Sequence, residues 1–288
     1  LGVHCDVLDF SFPDFPKERH LNVNKLNEVI SPQMISILLF ILGLLWGSFF
    51  NVCIIRLPQE KSIVWGRSAC PQCHKLIPWY YNIPLVSYAI LLGKCNQCKT
   101  QISWQYPLIE LITGLLFVGL YLHFGLTLEW IFSTVFCSSL LVISVIDLYH
   151  QIIPDEISLS GIVVGFLFSF WLGKISWIES LSGILVGGGI FLAIAWGYEK
   201  MTQREGLGGG DIKLLAMIGA WLGVQSLLVV IITSSLLGSV VGIGTMLFLK
   251  KDFKTAIPFG PFLAVGALVY LFWGEQVQQW IFPHWSPQ

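Results

Sequence analysis

Residues 34–55 read MISILLFILGLLWGSFFNVCII, a stretch without a single charge. A helix rises 1.5 Å per residue, so about 20 such residues cross the ~30 Å hydrocarbon core of a bilayer. The same apolar pattern recurs outward along the chain at 106–124, 128–146, 156–172, 177–198, 211–223, 226–249 and 256–273. The stretch 211–223 is short and leans on the Gly-rich residues before it. Lipid offers no partner to a backbone N–H, so these stretches are expected to be helices and not open sheet. A transmembrane β-barrel would alternate polar and apolar residues in short segments, and these runs are unbroken.

Composition agrees. Of 288 residues, 55% are hydrophobic and 11% charged, and the mean hydropathy is +0.74. A soluble domain carries roughly a quarter charged residues. A soluble globule, a disordered chain and a coiled coil are therefore excluded. The net charge of −1 implies no nucleic-acid partner.

Eight spans put both termini on one side, and basic residues choose that side. The segment 56–101 carries Arg56, Lys61, Arg67, Lys75, Lys94 and Lys99. Two further loops on the same side carry Lys200, Arg204, Lys250, Lys251 and Lys254. Together these are 11 of the 16 Lys and Arg. The segment is expected in the cytoplasm and both termini outside. Residues 1–33 read as a polar tail without the basic-then-apolar order of a signal peptide. The pairs Gly43/Gly47, Gly161/Gly165, Gly183/Gly187 and Gly238/Gly242 predict close helix packing. Trp273, Trp280 and Trp285 suit an interfacial belt.

The large loop holds two pairs of cysteines, Cys70-Pro-Gln-Cys73 and Cys95-Asn-Gln-Cys98. Each Cys-x-x-Cys turn sets two sulfurs on one side of a tight loop. Two such turns complete a tetrahedral four-sulfur shell suited to structural Zn²⁺. In a reducing compartment disulfides are disfavoured; redox-active or unliganded thiols are the other reading. Cys5, Cys53 and Cys137 read as tail or packing residues. The fold class is thus an all-α polytopic membrane protein, with about eight transmembrane helices and a small zinc-knuckle cytoplasmic domain.

Ionisable groups near spans are functional suspects. Asp147 ends the third apolar run, and Asp211 follows Gly208-Gly209-Gly210 at the start of the sixth. On this topology both lie at the cytoplasmic face, and they can meet if those two helices are neighbours. Facing carboxyls share a proton, so one can act as base on a water while the other protonates a carbonyl. Each can equally be a helix-end charge, with Asp211 a simple cap. The glycines before Asp211 favour the catalytic reading, because they admit strained turns and close backbone approach. Asp155 and Glu156 after Pro154 suit a helix start. Glu199 and Glu205 read as solvated charges, and His123 and His150 have no metal-ligand spacing.

Taken together, the motifs resemble the bacterial type IV prepilin peptidases. They are Gly47-Ser48-Phe49-Phe50-Asn51-Val52 through Arg56-Leu57-Pro58, the double Cys-x-x-Cys, Ile146-Asp147 leading to Ile153-Pro154-Asp155, the run Arg204 to Leu214 around Gly208-Gly209-Gly210-Asp211, and Ile257-Pro258-Phe259-Gly260-Pro261-Phe262. They follow the family's order from about 43 to 262. The Gly-x-Gly-Asp motif alone is shared with presenilin-type proteases. The resemblance implies an intramembrane aspartic endopeptidase with Asp147 and Asp211 as its catalytic pair. It implies cleavage of the basic leader of type IV prepilins and type II secretion pseudopilins, after Gly, at the cytoplasmic face of the inner membrane. It also implies N-methylation of the new N-terminus with S-adenosylmethionine, for which the residues themselves show no site. The implied division is a 1–33 tail, a 34–55 first helix, a 56–103 cytoplasmic four-cysteine zinc-binding domain, a 104–274 seven-helix peptidase domain and a 275–288 tail.

Two other classes compete. A proton-coupled transporter would use Asp147 and Asp211 as a relay, but the sequence shows no internal repeat and sets both acids at one face, not mid-span. A zinc-organised membrane scaffold would leave the Gly-rich acid unexplained.

Overall fold

The computed structural model describes residues 31–172, 175–202, 208–249 and 258–281. Among them there is no strand, and each of the eight apolar stretches carries helix, the last from Gly260 onward. Helix α1 spans Pro32–Arg56; Ser31 caps it by accepting from the Met34 N–H, and Pro32 sits in its first turn. A loop with two 3-10 turns and the short α2 (Val86–Ile90) leads to α3 (Gln105–Phe124). Helix α4 (Leu128–His150) is capped by Thr127, and α5 covers Asp155–Leu172. Ser176 and Glu179 form a capping box at the start of α6 (Trp177–Ile184). A π-helical turn, Leu185–Ile190, joins α6 to α7 (Phe191–Thr202). Then come α8 (Gly209–Leu222), α9 (Val224–Leu249) and α10 (Gly260–Ile281).

Among the described residues, five helical segments are long and apolar enough to cross a membrane: Pro32–Gln59, Gln105–Phe124, Leu128–His150, Trp177–Thr202 and Val224–Leu247. Helix α8 has only 14 residues. In α10 the apolar part is Gly260–Gly274, and Trp273 interrupts it with φ −129° and ψ 15°. Large apolar side chains such as Ile37, Leu45, Leu115, Val163, Leu236 and Val240 face outward. In water such a surface would aggregate; in a bilayer it is the lipid-facing surface. This is a membrane protein.

The core forms around α8. Leu214, Met217 and Ile218 pack with Phe136, Leu140 and Ile143 of α4, Val230 of α9 and Leu263 of α10. Neighbouring helices thus shield α8 from lipid, which explains how so short a helix suffices. Glycine stripes set the closest contacts. A Cβ on Gly43 would lie 2.7 Å from the Gly114 Cα of α3, and one on Gly187 would lie 2.6 Å from the Leu215 carbonyl of α8. Gly161 and Gly165 take the side chains of Met217 and Trp221 instead, and Trp221 Nε1 donates to the Gly161 carbonyl at 2.8 Å. Gly238 is looser, in ordinary contact with Phe259 and Phe262. Trp273 is exposed. The Trp280 side chain and Trp285 lie outside the described residues, as do Cys5, Arg204, Glu205 and the Lys250–Lys254 loop.

Candidate functional site

Asp147 sits in the last turn of α4, and only 5% of its surface is exposed. Its Oδ2 accepts a 2.8 Å hydrogen bond from the Gly260 N–H, the first residue of α10. That amide has no partner within its own helix, so the carboxylate satisfies it. The approach needs glycine: a Cβ at residue 260 would stand 2.8 Å from Oδ2.

Asp211 lies in the first turn of α8, capped by Gly208. Its N–H donates to the Gly208 carbonyl at 3.1 Å. A Cβ on Gly208 would come within 3.2 Å of Asp211 Oδ2, and one on Gly210 within 3.0 Å of Ile153. Gly208 and Gly210 therefore let the chain pass close to the acid and to the segment that follows α4, while Gly209 faces open space. Helices α4 and α8 share the core, with Phe136 and Trp221 stacked at 5.2 Å. The two carboxylates lie within electrostatic reach of each other. Asp147 and Asp211 are distant in sequence, and the fold sets them at one end of two packed helices. Asp155 is engaged otherwise: Lys213 Nζ pairs with its Oδ1 at 2.6 Å, tying the start of α5 to α8. Glu199 is exposed, in keeping with a solvated charge. His123 packs on Phe124 and Phe272.

The four cysteines Cys70, Cys73, Cys95 and Cys98 converge, their sulfurs all within 4.8 Å of one another. They are free thiols. The two turns repeat one backbone pattern. Cys70 N donates to the Lys75 carbonyl as Cys95 N does to that of Thr100; His74 N returns to Cys70 as Lys99 N does to Cys95; and Ile77 N reaches Ser68 as Ile102 N reaches Gly93. His74 and Lys99 both take positive φ, 55° and 59°. Bridges Ala69–Leu76 and Lys94–Gln101 close the turns, and Lys75 Nζ donates to Gln97 Oε1 between them. The Cys70–Cys98 sulfur distance is 3.8 Å. Zn–S bonds of about 2.3 Å in a tetrahedron give a sulfur–sulfur edge of about 3.8 Å. The donor set and spacing thus fit one tetrahedral thiophilic metal. The Thr100 hydroxyl and backbone lower the Cys98 thiol to about 6, so one thiolate is present at neutral pH.

Arg56 fastens this loop to α1. Its guanidinium donates to the carbonyls of Ser62, Trp65, Gly66 and Arg67.

Comparison with known proteins gives this arrangement its family. Residues 41–124 match the bacterial peptidase A24 N-terminal domain, and residues 134–243 match the type IV leader peptidase family. The chain belongs to the type IV leader peptidase family. It is 38% identical over 261 residues to a prepilin leader peptidase/N-methyltransferase of Pseudomonas aeruginosa, covering 82% of this chain and 90% of that one. The Aeromonas hydrophila protein of the same name is 34% identical, with 84% and 92% covered. That of Myxococcus xanthus is 42% identical, with 73% and 63% covered. No solved structure matches. The A24 N-terminal match takes in most of α1, the cysteine loop and α3, and the leader peptidase match holds Asp147, Asp211 and the glycines before Asp211.

Three features of the structure escape sequence reading. The Gly260 amide is one; the resemblance quotes its motif but gives it no partner. The buried Glu110 of α3 and Asn51 of α1 are the others. Glu110 is the single acid in the stretch 106–124, and an intramembrane acid is a signal in itself.

Proposed function

We propose that this chain is an intramembrane aspartic endopeptidase. It removes the basic leader of type IV prepilins and type II secretion pseudopilins after Gly, at the cytoplasmic face of the bacterial inner membrane. It then N-methylates the new N-terminus with S-adenosylmethionine. The observation that carries the peptidase reading is the placement of Asp147 in the last turn of α4 and Asp211 in the first turn of α8, two helices that share the core.

Two carboxyls that face a common substrate can share one proton. The ionised member takes a proton from the attacking water, and the protonated member donates to the scissile carbonyl oxygen. The Gly260 N–H holds Oδ2 of Asp147, which leaves Oδ1 for the water or the partner acid. A glycine at the scissile bond lets the substrate backbone extend between the acids without side-chain bulk. Relatives named for prepilin processing at 34–42% identity support the substrate class. A basic leader suits a site of two acids.

Cys70, Cys73, Cys95 and Cys98 hold a structural Zn²⁺. A four-thiolate site has no open position for catalysis, so the metal orders the loop.

The test is reconstitution of the purified chain with a prepilin peptide. Wild type cleaves after Gly. Asp147→Asn and Asp211→Asn each lose cleavage by three or more orders of magnitude, the scale of an acid–base pair acting as a unit, while melting as sharply as wild type. Full cleavage by either variant overturns the assignment. Proton transport without cleavage would favour a transporter.

A further inference from the structure

Asp155 and Lys213 meet at 2.6 Å where two helices begin side by side. Asp155 is the first residue of α5, and Lys213 is the fifth of α8. These helices run in the same direction with matched steps. Met217 fills the space beside Gly161, and Trp221 fills that beside Gly165. Trp221 Nε1 also donates to the Gly161 carbonyl at 2.8 Å. The Asp155–Lys213 contact is the first step of this series, at the end of α8 that carries Asp211.

That end is tied to Asp147 as well. Gln151 closes α4 by donating its N–H to the Asp147 carbonyl at 2.9 Å. Ile153 then lies against Gly210, where a Cβ would stand 3.0 Å from the Ile153 Cβ. The Pro154 carbonyl accepts from the Ile157 and Ser158 N–H groups and from the Ser158 hydroxyl, which starts α5. A short run of fixed contacts therefore joins the two acids: Asp147 to Gln151, Ile153 to Gly210, and Asp155 to Lys213, two residues past Asp211.

The first turn of α8 needs such an anchor. Gly208, Gly209 and Gly210 bring no side chains to hold it. Ile212 and Leu214, both buried, fix it toward the core. Toward α5 the contacts are Ile153 on Gly210 and Asp155 on Lys213. The ion pair adds little to folding. The Lys213 and Asp155 side chains are 40% and 55% exposed, and a pair so open to water is weak. Its geometry is nonetheless that of a short, charge-assisted hydrogen bond.

We infer that Asp155 and Lys213 are positioning residues: their pair sets the register of α8 on α5 and so holds Asp211 in place relative to Asp147. The inference rests on the aspartic peptidase reading proposed above. It gives Asp155 a part in the reaction beyond starting a helix. Proton transfer is sensitive to register, since a shift of about 1 Å can cost about a hundredfold in rate.

The experiment is a double-mutant cycle on the purified full chain, with a prepilin peptide as substrate. Lys213→Met and Asp155→Asn should each lower kcat by about ten- to a hundredfold, leave KM within about threefold and melt as wild type does. The double variant should lose no more than either single one, because each removes the same contact. Lys213→Arg keeps the charge and should recover most of the kcat that Lys213→Met loses. Wild-type kcat in either single variant, or losses that multiply in the double variant, overturn the inference. So does a melting temperature that falls in step with kcat, which would make the pair structural. A rise in KM with kcat kept also overturns it, and would set Asp155 against the basic leader instead. Asp147→Asn and Asp211→Asn run beside these variants. Full cleavage by them removes the aspartic reading itself; if they are inactive while the pair variants keep wild-type kcat, only this inference falls.

Discussion

The Gly260 amide and the Asp147 carboxylate meet at 2.8 Å across 113 residues of chain. The contact joins the start of α10 to the end of α4, and it fixes one oxygen of the acid. It ties the Ile257-Pro258-Phe259-Gly260-Pro261-Phe262 motif to the acid that the Ile146-Asp147 motif supplies.

Gly260→Ala tests what that contact does. The new methyl would stand 2.8 Å from Oδ2, so the carboxylate must turn away from the amide. Cleavage is expected to fall by about ten- to a hundredfold, mainly in kcat, because a misplaced acid loses proton transfer and not leader binding. Steady-state kinetics on a prepilin peptide decide it. A variant with unchanged kcat would mean that the amide contact has no bearing on the reaction.

Packing of α1 on α3 gives a second expectation. Gly43→Val would press a side chain into the Gly114 Cα and the Thr113 carbonyl, at 2.7 and 2.8 Å from its Cβ. Backbone cannot yield cheaply, so a loss of about 1–3 kcal/mol is expected. Gly119→Ala, on the same α3, has nothing within 4 Å and should be neutral or slightly stabilising. Thermal unfolding in detergent compares the two. Equal effects would show that α1 and α3 do not meet this closely.

Much of this was legible in the sequence, for a physical reason. A lipid-facing helix must be apolar along its length, so 34–55 and its seven counterparts announce themselves, and each one is a helix here. The cysteine pairs are equally plain, because a four-sulfur shell needs that local spacing. What hid was everything set by three-dimensional contact. The π-helical turn at Leu185–Ile190 arises where Gly187 lies against the Leu215 carbonyl, and no local pattern encodes that neighbour. Asn51 reads as one residue of a motif until its orphaned Oδ1 is seen.

Orientation can be read on native lysines. Lys61, Lys75, Lys94 and Lys99 all belong to the loop between α1 and α3, and all are exposed. With this loop in the cytoplasm, a membrane-impermeant amine reagent should leave all four unlabelled in intact cells and label them in inverted vesicles. Mass spectrometry of the digested protein gives the answer. Labelling in intact cells would place the loop, and Asp147 with it, on the other side.

The thiols make the sharpest chemical prediction. As isolated, the chain should carry one zinc, and Cys70→Ser or Cys95→Ser should lose it. Once a chelator strips the metal, the four sulfurs cease to be equivalent. The Thr100 hydroxyl, 3.3 Å from Cys98 Sγ, accepts from the thiol; once the sulfur ionises the hydroxyl turns to donate to it, and with the Thr100 backbone it holds Cys98 at about 6. Cys73 is pushed up to about 11: the Lys75 backbone N–H pulls it down, but desolvation and the neighbouring Cys70 and Cys98 outweigh that. A lowered value means the reactive thiolate is already present above it and vanishes as the pH falls through it. Iodoacetamide at pH 7 should therefore modify exposed Cys98 well before Cys73, and the preference should fade below about pH 6. Thr100→Val should move the onset of Cys98 alkylation to higher pH. Equal rates for the two cysteines in the stripped protein, or an onset that Thr100→Val leaves in place, would show that Thr100 does not set the order in which the thiols ionise.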